Sequence, residues 1–254
     1  GDLDSARRRG QEALEQFRRT LGEDHPHIGS VLNVLSNIER LDGNLERAIE
    51  ISQESLEATS RALGPDHPAH AAPHSVLSVL YRNLKNLDKA EFHMAKVVEL
   101  REKQGDPLNA YLAFGYSSLA DILLAQNRPK DALDVLSKAH AIHRKRAVEE
   151  PSWPAELWGI TGLAHTALGD TEAAIEALET ALADDGFSAL PGQVQSKLEF
   201  ELAKQLPAKG ASRARRFELV DKALARLDPD EDRKAPGSSA LSKEIRRCLA
   251  DNSR

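Results

Sequence analysis

The sequence predicts an all-α solenoid in which helix pairs stack along the chain and a last helix caps the C-terminal end. Alanines recur every 42 residues, at Ala6, Ala48, Ala90, Ala132 and Ala174. A fixed period of this length is typical of stacked helical units rather than of one compact core. Of the 254 residues, 41% are hydrophobic and only 4% aromatic, which favours closely packed helices over β-sheets.

The units are joined by the phrase Leu-Gly-x-Asp-His-Pro, which occurs at 21–26 and again at 63–68. Its glycine suits the left-handed residue just past a helix end, and its proline suits the first turn of the next helix. The Asp and His side chains can accept hydrogen bonds from the free amides of that turn. Each phrase therefore predicts the end of one helix and the start of another.

Between the joints the apolar spacing is helical. Ile28, Val31, Leu32, Leu35 and Ile38 lie on one helix face, and a turn at 42–44 leads to a second helix over 45–62. Further helices are predicted over 108–126, 129–148, 192–206, 212–227 and 241–250, with a polar linker over 229–239. A fourth pair starts at Pro151 and Pro154, carries Trp153 and Trp158, turns at Gly169 and ends at Ala183.

These elements divide the chain into three parts. Residues 1–185 hold the regular repeats, of which the first is partial, and 186–228 form a degenerate fifth repeat whose alanine falls at Ala214. Residues 229–254 are predicted to be a linker and a capping helix. Because Gly1 opens in the middle of a repeat, we expect the sequence to be cut from a longer protein.

Three further positions recur with the same period. A large residue of the first helix recurs as Leu32, His74, Tyr116 and Trp158. A small residue four positions later recurs as Ser36, Ser78, Ala120 and Gly162. The turn between the two helices contains Gly43, Lys85, Asn127 and Gly169. With these positions and its joints the chain resembles the tetratricopeptide repeat (TPR), in the 42-residue form of kinesin light chains and of bacterial regulatory and kinase-associated proteins.

The resemblance implies a right-handed superhelix in which the first helix of each pair lines a concave wall that binds a peptide or a helix. The side chains expected on that wall are Asn33, Asn37 and Arg40; Ser75, Val79, Arg82 and Asn83; and Phe114, Ser117, Asp121 and Leu124. An asparagine amide such as that of Asn33 can pair with a peptide backbone. Arg40 and Arg82 lie 42 residues apart, which favours a partner with an acidic segment.

Other functions are disfavoured by the composition. The formal charge of −6 argues against a nucleic-acid partner, and no apolar run approaches the ~20 residues that span a bilayer. A single cysteine, Cys248, excludes an internal disulfide and favours a cytoplasmic location. The sequence contains no nucleophile elbow, phosphate-binding loop or kinase motif. We therefore expect no enzyme activity, no cofactor and no metal site.

The function predicted from these observations is a protein–protein interaction module that binds a peptide or a helix of a partner protein in its concave groove. Two alternatives stay open. The chain could be the regulatory C-terminal tail of a larger bacterial signalling enzyme, such as a serine/threonine kinase. It could also be a scaffold that self-associates into a homo-oligomer through its open ends or through Trp153.

Overall fold

A computed structural model describes residues 2–106, 109–146, 154–207, 212–227 and 238–252. These residues form α-helices and two short 3₁₀ helices, Pro68–His70 and Asp185–Ala189, and contain no β-strand. The predicted all-α class is therefore confirmed. The α-helices are α1 Leu3–Leu21, α2 Pro26–Leu41, α3 Leu45–Leu63, α4 Ala71–Asn83, α5 Leu87–Lys103, α6 Ala110–Ala125, α7 Pro129–Arg146, α8 Pro154–Leu168, α9 Thr171–Ala183, α10 Gly192–Gln205, α11 Ser212–Ala225 and α12 Ser238–Asn252.

The chain divides into two compact units, residues 1–126 and 127–254. In unit 1, each of the helices α1 to α6 packs against the next, and α2 also contacts α4. In unit 2, α7 to α9 pack in the same sequential way, α10 contacts both α8 and α9, and α12 packs on α10 and α11. Neighbour-on-neighbour packing is the arrangement expected of a repeat array.

The recurring alanines Ala48, Ala90, Ala132 and Ala174 have no exposed surface. Within unit 1, Ala48 and Ala90 lie where the two helices of a pair pack together, because a methyl group lets the two backbones come close. In the first two complete repeats a serine of the preceding helix also bonds to the alanine's carbonyl oxygen. The Ser36 hydroxyl donates to Ala48 O at 2.7 Å and the Ser78 hydroxyl to Ala90 O at 2.8 Å.

The two joints have the predicted conformation, with Gly22 at φ 87° and Gly64 at φ 85°. The caps that follow are histidines. His25 Nδ1 accepts a hydrogen bond from the amide of His27, and His67 Nδ1 accepts one from the amide of Ala69. The joint histidines are thus capping residues, as their place in the phrase predicts.

The turn between the two helices of a pair needs a positive φ angle. Gly43 and Gly169 supply it without strain, at 86° and 76°, whereas Lys85 adopts φ 61° and Asn127 φ 60° at the equivalent positions. A side chain in this left-handed region costs free energy that glycine avoids. Lys85 and Asn127 therefore adopt a backbone conformation that favours glycine.

The strained turn of the second repeat allows a direct test. We expect Lys85→Gly to stabilise the protein by about 0.5–1 kcal/mol, because the φ strain is relieved and only part of the gain is lost to a more flexible unfolded chain. Urea unfolding followed by circular dichroism measures the change. The control is Lys85→Ala, which keeps a Cβ at positive φ and should change stability by less than half as much. Equal stabilisation by both variants would refute the strain argument.

The C-terminal helices lie close to the predicted ranges, since α10 and α11 end at Gln205 and Ala225. The last helix begins at Ser238, inside the segment predicted to be a polar linker. It is anchored by Ile245, which is fully buried in the core of unit 2. Most of the predicted linker, and Trp153 with its predicted surface role, lie outside the described residues.

Candidate functional site

Unit 1 carries a groove of about 490 Å³ between the first helices of three successive pairs, α2, α4 and α6, with α5 contributing to its floor. Six of the side chains predicted for the concave wall line it: Asn33, Asn37, Arg40, Ser75, Val79 and Phe114. The remaining lining residues are Ala71, Ala72, Val76, Val97, Arg101 and Tyr111.

The α2 wall of the groove is polar, and its side chains brace one another. Asn33, Asn37 and Arg40 follow each other at helical spacing, so they share one face. The Asn37 amide nitrogen donates to the Asn33 backbone carbonyl at 3.2 Å, and Arg40 Nε donates to Asn37 Oδ1 at 3.3 Å. Among the described residues, the two terminal nitrogens of Arg40 and the amide nitrogen of Asn33 have no hydrogen-bond partner, so they can meet a ligand. Asn33 Oδ1 is buried and has no hydrogen-bond partner in the described part of the chain.

Arg101 faces the groove from α5, a position that the sequence analysis did not select. Its guanidinium carbon lies 5.2 Å from the centre of the Tyr111 ring, and Nη1 donates to Gln104 Oε1 at 3.3 Å. Its Nε is buried without a hydrogen-bond partner among the described residues. The TPR resemblance predicts wall residues on the first helix of each pair, whereas Arg101 lies on α5, a second helix.

The α6 wall is apolar and exposed. Tyr111 has 70% of its surface exposed and Phe114 46%, although large aromatic side chains usually lie inside a protein of this size. Together with Val79 of α4 they give the groove an apolar side opposite the polar α2 wall. An aromatic pair exposed in a concave site is a common anchor point for a partner's apolar side chain.

Arg82, also predicted for the concave wall, lies beside an acidic residue. Its guanidinium forms an ion pair with Asp121 of α6, and neither residue lines the groove. The residue equivalent to Asp121 one repeat earlier is Val79, so Arg40 has no such carboxylate facing it. Arg40 and Arg82 occupy equivalent positions, but among the described residues Arg82 pairs with a carboxylate and Arg40 does not.

Three other predicted wall residues also lie away from the groove. Ser117 is buried, and its hydroxyl donates to the carbonyl of Ala113 in its own helix at 3.1 Å, so it has no polar atom to project. Asn83 is exposed at the end of α4, and Leu124 is partly buried near the end of α6. Both come after the turns of α4 and α6 that face the groove.

The described residues contain no group of three or more His, Cys, Asp or Glu side chains placed to bind a metal ion. No helix in the described ranges combines the length and the apolar character that crossing a bilayer requires.

Comparison with known proteins identifies a family. The model of the MalT-like TPR region matches residues 1–216. No curated protein sequence matches the chain.

Several solved structures share the fold. BtubC (BKLC) from P. vanneervenii has a TM-score of 0.67 at 18% identity, with 98% of this chain and 93% of that chain covered. The TPR-like repeats of a kinesin light chain from Podosopora anserina give a TM-score of 0.61 at 21% identity, with 84% and 99% covered. YrrB, a TPR protein with an unusual peptide-binding site, gives 0.53 at 16% identity, with 94% and 97% covered.

Proposed function

The chain belongs to the family of MalT-like TPR regions, and on this premise we propose that it is a protein–protein interaction module. The observation that carries the proposal is the groove of unit 1. A concave surface with a polar side, an apolar side and two arginines has the features of a peptide site. The partner contributes a short segment, extended or helical, that lies between α2 and α6.

The charges of the groove indicate which segment fits. Acidic residues outnumber basic ones in unit 1 as a whole, whereas the charged side chains that line the groove are Arg40 and Arg101. Neither arginine forms an ion pair among the described residues. A carboxylate that approaches them would gain charge-assisted hydrogen bonds and would stay away from the acidic surface elsewhere on the unit.

The apolar side of the groove and the Asn33 amide indicate what else the partner segment contributes. Tyr111 and Phe114 would cover an apolar side chain of the partner, and the Asn33 amide would pair with its backbone. We therefore propose a segment with an acidic residue next to an apolar one.

The proposed site is tested with the triple variant Asn33→Ala/Arg40→Ala/Arg101→Ala. A partner is first isolated by pull-down with the wild-type chain, and its binding segment is then synthesised as a peptide. We expect the triple variant to bind this peptide at least about tenfold more weakly, since two charge-assisted contacts are lost. Replacing the acidic residue of the peptide with its amide should weaken binding similarly.

The chain offers a matched control in Arg82→Ala, which removes an arginine from the equivalent position of the next repeat but outside the groove. Its affinity should stay within about twofold of wild type. Equal losses in the control and the triple variant would refute the groove as the site. If the wild type captures nothing, light scattering across a concentration series tests the homo-oligomeric scaffold instead.

For location we propose the cytoplasm, in keeping with a single cysteine.

A further inference from the structure

Two partly buried histidines of the second repeat occupy positions that are apolar core positions in the first repeat. The register of 42 residues makes His74 of α4 equivalent to Leu32, and His93 of α5 equivalent to Ile51. Leu32 and Ile51 are buried apolar residues of the first repeat. In the second repeat the two imidazoles face each other instead, and their Nδ1 atoms lie 2.8 Å apart. A hydrogen bond therefore joins α4 to α5 where the first repeat has an apolar contact.

The environment of this pair is basic. The ring of Tyr81 stacks on His93 at a centroid distance of 5.4 Å and an angle of 5°, and Lys89 Nζ lies 4.9 Å from the centre of the same Tyr81 ring. The charged or titratable groups that act on the pair are His70, from the 3₁₀ turn before α4, and Lys89 and Lys96 of α5. Lys96 is itself bonded to Glu99 at 2.6 Å. Added positive charge on the pair would meet positive neighbours.

The two joined helices also form the centre of the groove. α4 supplies Ser75, the residue next to His74, together with Val79, and α5 supplies Val97 and Arg101. If α4 moved away from α5, these side chains would lose their relative positions. The hydrogen bond between the histidines is therefore placed to control the shape of the groove.

We propose that the His74–His93 pair is a proton-operated latch, which holds α4 on α5 while the pair carries at most one added proton and lets the groove open when it carries two. The latch regulates the peptide site and so rests on the proposed function, whereas its opening can be measured without any peptide.

The stoichiometry follows from the chemistry of imidazole. In the neutral pair one ring donates its Nδ1–H and the other accepts with the lone pair of its Nδ1. The first added proton goes to the free Nε2 of the donor ring, and the hydrogen bond survives with an imidazolium as donor. The second proton must occupy the accepting Nδ1 lone pair. It breaks the hydrogen bond and leaves two cations facing each other.

Protonation of either ring is unfavourable in the closed state. Burial, then the neighbouring His93, His70 and Lys96, lower the pKa of His74 from its ordinary 6.5 to about 4. Burial and Lys89 lower the pKa of His93 to about 4 as well. An opened or unfolded state would bind protons near pH 6.5. The closed state is thus favoured fully above about pH 6.5 and loses this advantage as the pH falls towards about 4.

Hydrogen exchange of the peptide-free chain at pH 7.5 and pH 4.5, corrected for the intrinsic exchange rate, tests the latch. In the wild type we expect the amides of α4 and α5 to lose roughly tenfold or more of their protection at the lower pH. The variant His74→Leu/His93→Ile copies the first repeat and should keep its protection. Helices α10 and α11, which contain no histidine, provide the reference within the same sample.

Two outcomes would overturn the proposal. One is unchanged protection of α4 and α5 in the wild type at pH 4.5, and the other is an equal loss in wild type and variant. Circular dichroism at pH 7.5 shows whether the double variant folds. The single variant His93→Gln is the alternative, since an amide can still bond to His74 but only one titrating group remains, and the loss of protection should then be smaller. Because no peptide is used, a failure of the latch is distinguishable from a failure of the peptide site.

Discussion

Replacing Arg226 with methionine is expected to destabilise unit 2 by about 3–5 kcal/mol, because it leaves a buried carboxylate without its cation. The side chain of Glu199 on α10 is only 3% exposed. Both of its oxygens accept hydrogen bonds from Arg226 Nε, at 3.0 and 2.9 Å. The guanidinium carbon of Arg226 also lies 5.6 Å from the centre of the Phe187 ring. Arg226 therefore contacts both Glu199 and Phe187.

Urea unfolding of the whole chain, followed by circular dichroism, measures this effect. The matched control is Arg215→Met, which removes an arginine of the same unit from an exposed ion pair with Glu179 at 3.3 Å and should cost no more than about 1 kcal/mol. The double variant Arg226→Met/Glu199→Met should recover most of the loss, since the buried charge is gone. If Arg226→Met costs no more than the control, burial of Glu199 does not determine the stability of this region.

The second large effect is expected for Gly162→Ser in α8, with a loss of about 2–3 kcal/mol. A Cβ at this position would lie 2.5 Å from Leu178 Cγ and 3.2 Å from the Leu178 backbone nitrogen. Leu178 is fully buried, so neither its side chain nor the α9 backbone has free space to move into. Serine is the residue of the first two complete repeats at this position; in the first of them Ser36 faces Ser52, and their hydroxyl oxygens lie 2.6 Å apart.

Thermal unfolding monitored through tryptophan fluorescence, together with circular dichroism, reports this change. Gly115→Ser is the control, because its Cβ would meet only the side chains of Val98 and Val97, at 3.3 and 3.8 Å; it should cost less than about 1 kcal/mol. Combining Gly162→Ser with Leu178→Ala should give a coupling free energy of at least about 1 kcal/mol, since the smaller residue makes room for the serine. Strict additivity would show that the two side chains do not compete for space.

The two substitutions concern different kinds of information. The size of residue 162 belongs to a periodic series that the sequence displays, and the series predicts that a small residue lies between the helices of a pair. The Arg226–Glu199 pair belongs to no series. A residue on α10 and one 27 positions later, just past the end of α11, give no sequence signal of contact. Periodicity reports on positions that every repeat shares, whereas individual ion pairs depend on the neighbours that one repeat happens to have.

The candidate site shows the same division. The 42-residue register placed Asn33, Asn37, Arg40, Ser75, Val79 and Phe114 on one surface, and the structure gathers these six around the groove. The same spacing predicts equal roles for Arg40 and Arg82, although among the described residues Asp121 forms an ion pair with Arg82 and not with Arg40. The spacing did not predict Arg101 and Tyr111 as groove residues, although the guanidinium of Arg101 lies over the Tyr111 ring at the groove.

The sequence by itself determined the helical class, the repeat period, the joints with their capping residues and the positions of the turns between paired helices. These features depend on local backbone chemistry and on a spacing that recurs along the chain. The tertiary structure alone decided which of Arg40 and Arg82 pairs with a carboxylate, that Ser117 is buried, and that two partly buried histidines meet in the second repeat. Such choices depend on contacts between side chains of different helices, whose free energies are set by distance, burial and charge at one place in the molecule.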